Sequence, residues 1–136
     1  MTNTEQNIQV AQSMYACFQR GDIPALLDQV EESIEWITPG PKPFGGTWHG
    51  KAGVADFFRM VSETWDFQAF EPREFVASGD NVVVLGRYAM TARGTGRPAS
   101  SDWAMHFTIR NGKCARFQEY TDSAALSDAM AAGAAA

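Results

Sequence analysis

The sequence predicts an α+β fold in which one curved, mixed or antiparallel sheet wraps around three N-terminal helices and encloses an apolar pocket. Helical patterns come first in the chain and long strand patterns come last, an order typical of α+β proteins. The last two strand patterns, Ser100–Arg110 and Lys113–Thr121, flank Asn111-Gly112. Asn-Gly between apolar-rich runs is a strong hairpin signal, because both residues tolerate the positive φ of a tight reverse turn.

Two helices are predicted at the N-terminus. The first runs from about Thr4 to Arg20 and is ended by Gly21, and its apolar stripe consists of Val10, Met14, Cys17 and Phe18. Asp22 then caps a short second helix, because an aspartate side chain accepts hydrogen bonds from the free N–H groups of a first helical turn. Pro24 lies inside that first turn, where its missing N–H costs nothing.

A strand, a long loop and a third helix follow. The segment Ser33–Ile37 alternates in polarity like a strand. Residues 38–50 are rich in Pro and Gly and are predicted to form a loop, and a loop of this length in a small domain is usually functional. The third helix is predicted from about Lys51 to Thr64, with apolar residues at helical spacing: Val54, Phe57, Phe58, Val61 and Trp65.

Four strands and a short helix complete the predicted fold. The strand candidates are Phe67–Ala77, Asn81–Arg93, Ser100–Arg110 and Lys113–Thr121. Asp122 or Ser123 is expected to cap a final short helix that runs through Met130. The small-residue tail 131–136 is expected to be frayed.

Length and charge limit the classes of function. A chain of 136 residues is expected to form a single domain, 1–136. The formal net charge is −5 and no cluster of Lys or Arg stands out, which argues against nucleic acid and against an anionic membrane surface as partners. The sequence contains no apolar run of about 18 residues, the length needed to cross a membrane. The polar N-terminus shows no secretory signal. A cytoplasmic protein is therefore expected.

Several short motifs occur in a fixed order along the chain: Gly21-Asp22, Glu35-Trp36, residues 50–58, residues 79–84 and residues 107–116. In this order and spacing the chain resembles the nuclear-transport-factor-2-like superfamily of cone-shaped α+β proteins, which includes ketosteroid isomerase. Within that superfamily it is similar to the SnoaL-like polyketide cyclase branch. The resemblance covers about residues 8–128 and implies a cone with an apolar pocket.

Ketosteroid isomerases carry a tyrosine on the first helix, an aspartate base at the first strand and a protonated aspartate on a late strand. By resemblance these three positions fall on Met14, Trp36 and Met105. None of the three side chains transfers a proton, and a shift by one residue would bring in Tyr15 alone. The chain is therefore not expected to be a ketosteroid isomerase of the usual mechanism.

The same resemblance implies which residues line the pocket. The expected ligand-binding residues are Met14, Trp36, Phe58, Met90, Trp103, Met105 and Phe117, with Tyr88 and Glu119 beside them. Methionine adapts its shape, and aromatic faces suit flat apolar ligands, so the expected partner is a small apolar molecule. The same spacings also fit a plain hydrophobic core.

Glu119 is the one carboxyl group expected in the pocket. Apolar surroundings would raise its pKa, because burial disfavours the charged form, and a carboxyl group that titrates near neutrality serves as a general acid or base. The alternative is that Glu119 lies on the outer face of the sheet and pairs with Arg116 or Arg87.

The hairpin decides between these two positions of Glu119. A plain two-residue turn would place Met105 opposite Gln118, with Glu119 on the other face. A glycine bulge at Gly112 would instead place Met105 opposite Glu119.

Two other side chains are candidates for catalysis. Tyr88 is expected to donate a hydrogen bond to a ligand carbonyl group. His106 is the alternative proton carrier, since an unperturbed histidine titrates near 6.5, although it also fits the outer sheet face or a dimer contact. His49 and His106 have no Asp, Glu or Cys neighbour at a ligand-like spacing, so no metal site is expected. No nucleophile motif or phosphate-binding loop is present, and no cofactor is expected.

The expected function is the binding of a small apolar molecule, with cofactor-independent isomerase, cyclase or hydratase/dehydratase activity by general acid–base catalysis. The alternative is a non-catalytic ligand-binding or dimeric interaction module, and the sequence does not decide whether the protein is an enzyme. A homodimer is expected by analogy with the superfamily.

Overall fold

The computed structural model describes residues 2–131. Its elements are α1 (Asn3–Gln19), α2 (Ile23–Leu27), β1 (Val30–Thr38), β2 (Gly46–His49), α3 (Gly50–Thr64), β3 (Trp65–Ser78), β4 (Asn81–Ala92), β5 (Pro98–Arg110), β6 (Lys113–Thr121) and α4 (Ser123–Met130). The predicted α+β class with a curved, mixed sheet is confirmed. The tail that was predicted to be frayed lies, beyond Ala131, outside the described residues.

The six strands form one sheet in the order β2-β1-β6-β5-β4-β3. All neighbours pair antiparallel except β1 and β6, which are parallel. Helix α1 packs across β3, β4 and β5, while α3 packs on β1. Both long helices therefore cover the sheet, and the core lies between them and its inner face.

Local signals fix the predicted helix ends. The Asp22 side chain accepts a hydrogen bond from the Ala25 N–H at 3.1 Å, and Asp122 does the same for the Ala125 N–H at 3.1 Å. Gly21 follows α1 with φ of 74°, a conformation that favours glycine. The predicted caps of α2 and α4 are therefore confirmed.

The predicted loop 38–50 contains a strand that the sequence pattern missed. Gly46–His49 forms β2 and pairs with β1, where Trp48 lies opposite Trp36. The predicted strand Ser33–Ile37 is also longer, Val30–Thr38, because it has partners on both sides. The glycine-rich segment has little strand propensity of its own, so its pairing with β1 defines the strand.

The hairpin between β5 and β6 has a plain two-residue turn. Asn111 and Gly112 have φ values of 52° and 76°, and Arg110 lies opposite Lys113. Positive φ at both central residues is the requirement of the tight turn that Asn-Gly favours. Of the two alternatives left open for this hairpin, the plain two-residue turn is therefore the one observed.

A bulge lies further along β6 instead. Ile109 pairs with Cys114, whereas Thr108 pairs with Arg116, so Ala115 is the extra residue. A bulge shifts the register by one residue and changes which face the following side chains occupy. As a result, Met105 lies opposite Glu119. The expectation that a plain turn would place Met105 opposite Gln118 was therefore wrong, because it took no account of a bulge outside the turn.

Candidate functional site

The inner faces of three neighbouring strands carry the side chains of the candidate site. Alternate residues of a strand point to the same face, so β4 directs Tyr88 and Met90 inward and β5 directs Met105 inward. Beyond the Ala115 bulge, β6 directs Phe117 and Glu119 to the same side. All five residues are at most 5% exposed.

An apolar cavity of about 60 Å³ lies between the helices and this inner face. Its lining is almost wholly aliphatic, aromatic and sulfur-containing, and Glu119 is the one carboxyl group in it. The lining residues are Met14, Tyr15, Phe18, Leu26, Trp36, Phe44, Phe57, Phe58, Val61, Trp65, Phe67, Phe70, Tyr88, Met90, Met105, Phe107, Phe117 and Glu119. This set contains every expected site residue except Trp103 and His106.

The volume of the cavity decides how a ligand is accommodated. Pockets for small organic ligands usually measure about 300–1,000 Å³, so a cavity of about 60 Å³ has to expand. Flexible methionine side chains at Met14, Met90 and Met105 provide walls that are able to move.

A wider outer groove of about 480 Å³ adjoins the cavity. Phe18, Phe58 and Phe67 line both spaces and are half-buried. The ring centroids of Phe18 and Phe58 are 5.6 Å apart, and those of Phe18 and Phe67 are 6.0 Å apart. Together with Val61 and Trp65, these three rings form the wall that the groove and the cavity share.

Glu119 belongs to a chain of three hydrogen-bonded side chains. The Tyr88 hydroxyl lies 2.8 Å from Glu119 Oε2 and 2.7 Å from Thr121 Oγ1. Because a phenol has one proton, Tyr88 donates to ionised Glu119 while it accepts from the Thr121 hydroxyl. Among the described residues, no donor contacts Glu119 Oε1.

The environment of Glu119 shifts its proton affinity. Burial raises the pKa of its carboxyl group from 4.5 to about 7, and the hydrogen bond from Tyr88 partly opposes this rise. Burial and the nearby Glu119 charge together hold the pKa of Tyr88 far above its ordinary value. Tyr88 therefore keeps its proton, and Glu119 is the group that titrates near neutrality.

Tyr15 is a lining residue that the sequence analysis did not select. Its hydroxyl donates to the Met105 Sδ at 3.2 Å, and a thioether is a weak acceptor. Burial, with Glu119 as the second cause, holds the pKa of Tyr15 well above its usual value. Tyr15 thus presents a protonated hydroxyl with a poor partner near Glu119. The spacing of Ala11, Tyr15 and Phe18 on one helical stripe was the available signal.

Aromatic side chains shape the other walls. Trp36 stacks on Phe117, its neighbour on the parallel strand, with ring centroids 3.8 Å apart and an interplanar angle of 16°. The indole N–H groups of Trp36 and Trp65 are buried and have no hydrogen-bond partner within residues 2–131. Such a wall favours flat molecules that carry hydrogen-bond acceptors.

Two expected site residues lie elsewhere. His106 follows Met105 on β5, so its side chain occupies the opposite, outer face, where its Nε2 lies 2.7 Å from Asn81 Oδ1. Of the two alternatives for His106, the outer sheet face is therefore the one observed, and its candidate role as a proton carrier in the pocket was wrong. Trp103 is 4% exposed but does not line the cavity. Its ring stacks beside Tyr15 with centroids 5.9 Å apart, so it supports the wall from outside.

No group of three or more His, Cys, Asp or Glu side chains within residues 2–131 is arranged to hold a metal ion. None of the helices in that range is long and apolar enough to span a membrane.

Comparisons with known proteins agree with this fold. The sequence model of the SnoaL-like domain family matches residues 11–117. An NTF2-like protein from Burkholderia xenovorans LB400 is 36% identical, with a TM-score of 0.88, over 95% of this chain and 98% of that one. An NTF2-like protein from Burkholderia pseudomallei K96243 is 30% identical, with a TM-score of 0.86, over 97% of this chain and 100% of that one.

TerC, whose structure was determined after co-crystallisation with polyporic acid, is also similar. It is 31% identical, with a TM-score of 0.79, over 91% of this chain and 97% of that one. No curated protein sequence matches this chain.

Proposed function

This chain belongs to the SnoaL-like domain family, and on that premise we propose that it binds a small, largely apolar carbonyl compound and moves a proton on it without a cofactor. The reaction class is that of an isomerase, cyclase or hydratase/dehydratase. One observation carries the proposal: Glu119 is a buried carboxyl group in an apolar cavity, and its pKa is raised to about 7. A group with that pKa is able both to take and to return a proton near neutral pH.

Glu119 is assigned the role of general acid and base. In the basic direction, its free Oε1 takes a proton from the carbon beside the carbonyl group, and the electrons of the C–H bond move onto the carbonyl oxygen. Returning the proton to another carbon completes an isomerisation. Attack of the enolate carbon on a second carbonyl group of the ligand, whose oxygen takes the proton from Glu119, gives a cyclisation. Departure of a β-hydroxyl group that takes the same proton and leaves as water gives a dehydration. The negative charge on the carbonyl oxygen exists only during the reaction. A site that stabilises this charge more strongly than it stabilises the bound ligand accelerates the reaction.

The two tyrosines have different roles in this proposal. Tyr15 donates to the carbonyl oxygen of the ligand, because its present partner is only the Met105 sulfur. Tyr88, which the sequence analysis expected to polarise the ligand, has its single proton directed to Glu119. Tyr88 is therefore a positioning residue that holds the carboxylate.

The ligand class follows from the shape and polarity of the walls. Stacked aromatic rings and unpaired indole N–H groups favour a flat molecule with oxygen acceptors. The related TerC was crystallised with polyporic acid, which supports a small organic molecule as the occupant. The route of entry is assigned to rotation of three half-buried rings in the wall shared by the cavity and the outer groove, Phe18, Phe58 and Phe67.

A non-catalytic carrier is the second candidate. The replacement of the three isomerase positions by Met14, Trp36 and Met105 favours it, because none of these residues transfers a proton. A carrier would use the same cavity but leave its ligand unchanged.

A thermal-shift screen followed by turnover assays separates these candidates. The panel consists of flat apolar ketones and quinones together with polyporic acid. A ligand at 100 times its Kd stabilises the fold by about 2.7 kcal/mol, and each binder is then assayed for conversion by the native protein and by Glu119→Gln. Turnover that falls about 10²–10⁴-fold in the variant supports catalysis by Glu119.

The remaining outcomes are equally definite. Equal turnover by Glu119→Gln contradicts the assigned role of Glu119. A ligand that is bound but never converted supports the carrier. If no compound shifts the unfolding temperature, the ligand class proposed above is wrong.

We also propose that the protein forms a homodimer through the outer face of the sheet. Leu85, Ala104 and Tyr120 lie side by side on β4, β5 and β6 in one row across that face. Leu85 is 41% exposed and Tyr120 is 52% exposed. The adjacent pair Arg87 and Asp102 supplies both signs of charge, as a two-fold interface between identical surfaces requires.

A further inference from the structure

A buried general acid–base group has to exchange its proton with solvent whenever the proton that it returns to the ligand is not the one that it removed. Glu119 is 4% exposed, and an apolar ligand in the cavity would exclude water from its carboxyl group. For an enzyme that removes one proton and returns another, a second route between Glu119 and solvent is then required.

The structure contains one continuous polar path from Glu119 among the described residues. It runs from Glu119 Oε2 to the Tyr88 hydroxyl at 2.8 Å, and from there to Thr121 Oγ1 at 2.7 Å. Glu119 and Tyr88 are buried, whereas Thr121 is half-buried. Thr121 ends β6 and directly precedes Asp122, the residue that caps α4. The path therefore leads from the cavity to the end of the sheet.

We propose that Tyr88 and Thr121 form a proton relay that connects Glu119 to solvent, with Thr121 as its outer member. This inference rests on the proposed function, because a relay matters only where Glu119 takes up and releases protons. Thr121 does not line the cavity, so it acts through Tyr88 and is a positioning residue for the reaction.

The transfer balances without a charged intermediate on either hydroxyl. When Glu119 is ionised, Tyr88 donates to Oε2, and Thr121 donates to the Tyr88 oxygen. Reprotonation passes the Tyr88 proton to Glu119, the Thr121 proton to Tyr88, and a proton from a water molecule or hydronium ion to Thr121. In the reverse direction, the carboxyl group turns so that its proton faces the Tyr88 oxygen. The Glu119 proton then passes to Tyr88, the Tyr88 proton passes to Thr121, and the Thr121 proton leaves to water. Each oxygen keeps its normal valence because one proton enters as another leaves.

The three-side-chain arrangement also fits a purely structural role, in which Thr121 only fixes the Tyr88 ring. The two roles differ in the exchange of the Tyr88 hydroxyl proton. A relay speeds exchange with solvent, and its removal slows exchange. Loss of a structural contact loosens the site, and local opening makes exchange faster.

Hydroxyl exchange is measured by NMR on the full chain labelled with ¹³Cζ-tyrosine in an equal mixture of H₂O and D₂O. The chain has three tyrosines, and two of them are internal references. Tyr120 is 52% exposed and reports free exchange. Tyr15, whose hydroxyl contacts only the Met105 sulfur, reports exchange at a buried site without a relay.

In the native protein, Tyr88 is expected to exchange faster than Tyr15 although both are buried. Thr121→Val, which keeps the shape but removes the hydroxyl, should slow Tyr88 exchange by about tenfold or more, a conservative figure for removing one proton-transfer partner. Thr121→Ser should keep the native rate. Thr91→Val, which removes a threonine hydroxyl that contacts Gln68 on the exposed side of the sheet, is the matched control and should leave Tyr88 unchanged.

An unchanged or faster Tyr88 rate in Thr121→Val overturns the relay. A separate titration of ¹³Cδ-labelled glutamate in the same proteins tests the underlying function. If Glu119 titrates in the ordinary carboxyl range, the proposed function fails whatever Tyr88 does. If Glu119 titrates near neutrality and Tyr88 exchange does not depend on Thr121, the relay alone fails.

Discussion

Glu119 is a carboxyl group that folding makes harder to ionise. Its pKa is raised from 4.5 to about 7 because burial removes the solvation of the charge. The folded state therefore binds this proton more tightly than the unfolded chain does, and it loses stability as pH rises from about 4.5 to about 7. The free energy of unfolding that is lost in this way amounts to about 3 kcal/mol, and the loss is complete once the pH exceeds the pKa of the folded state.

Glu119→Gln is predicted to remove this pH dependence, because the amide stays neutral. Urea unfolding of both proteins from pH 4.5 to about 8 should show the native protein losing about 3 kcal/mol relative to the variant. Glu74→Gln, at an exposed position on β3, is the control and should follow the native protein at every pH. A constant difference between native protein and Glu119→Gln across this range would contradict the raised pKa.

Tyr88→Phe is predicted to raise the pKa of Glu119 above about 7, because the lost hydrogen bond favoured the ionised carboxylate. A ¹³C titration of the Glu119 carboxyl group measures the change. Tyr120→Phe removes an exposed hydroxyl on the same sheet and should leave that pKa in place. A lower pKa in Tyr88→Phe would mean that Tyr88 does not donate to Glu119.

Single residues were predictable where the strand period alone set their direction. The inward position of Met90 and the outward alternative for His106 both follow from alternation on a strand. The inward position of Glu119 did not follow, because it depends on one extra residue in β6. Tyr15 was missed because the resemblance to ketosteroid isomerase placed the pocket position of the first helix on Met14. In the structure, both residues line the cavity.

At the scale of elements, the predictable features had a local chemical cause. Asn111-Gly112 favours a tight turn and Asp22 favours the start of a helix, so the turn and the helix start were both predicted from the sequence. The bulge at Ala115 has no such signal, since alanine has no special φ requirement, and the register there is set by packing of Phe117 and Cys114 into the core. Strand β2 was missed for the same reason, because its pairing with β1 is a tertiary contact.

Gly86 on β4 is predicted to be required by a close approach between elements. A Cβ atom there would lie 2.5 Å from the Glu71 carbonyl oxygen on β3 and 2.5 Å from the Trp103 ring on β5. Gly86→Ala should therefore lower the free energy of unfolding by about 1–3 kcal/mol, the usual cost of overpacking. Gly94→Ala, where a Cβ atom meets nothing within 4 Å, is the control and should change stability by less than about 0.5 kcal/mol. Equal stability of the two variants in urea would contradict the close approach.

At the scale of the whole molecule, the order of elements predicted the architecture. Two long helices followed by four long antiparallel strands leave few ways to bury both helices on one sheet. The volume of the cavity could not be predicted, because it depends on how completely the methionine and aromatic side chains fill the space. With a cavity of about 60 Å³, the interior is neither solidly packed nor an open pocket. Ligand binding therefore has to be coupled to side-chain movement.

The outer face of the sheet determines the last prediction, the oligomeric state. The row formed by Leu85, Ala104 and Tyr120 exposes apolar surface on adjacent strands, and a second copy related by a two-fold axis would cover it with the same row. Light scattering at micromolar concentration should therefore give the mass of a dimer, twice 14.9 kDa. Leu85→Arg should shift the protein to the monomer, because the added charges would face each other across the axis and Arg87 lies beside them. Like charges at an interface cost several kcal/mol, which weakens the dimer by about 100-fold or more.

Ala16→Arg is the matched control for this experiment. It adds the same charge at an exposed position of α1, a helix that packs on the inner side of the sheet, and it should leave the dimer intact. A native protein that is monomeric at micromolar concentration contradicts the proposed dimer outright. A dimer that persists in Leu85→Arg places the interface elsewhere, and the exposed row of Leu85, Ala104 and Tyr120 would then have no role in self-association. Because the row lies on the face opposite Glu119, dissociation by Leu85→Arg should leave the titration of that carboxyl group near 7.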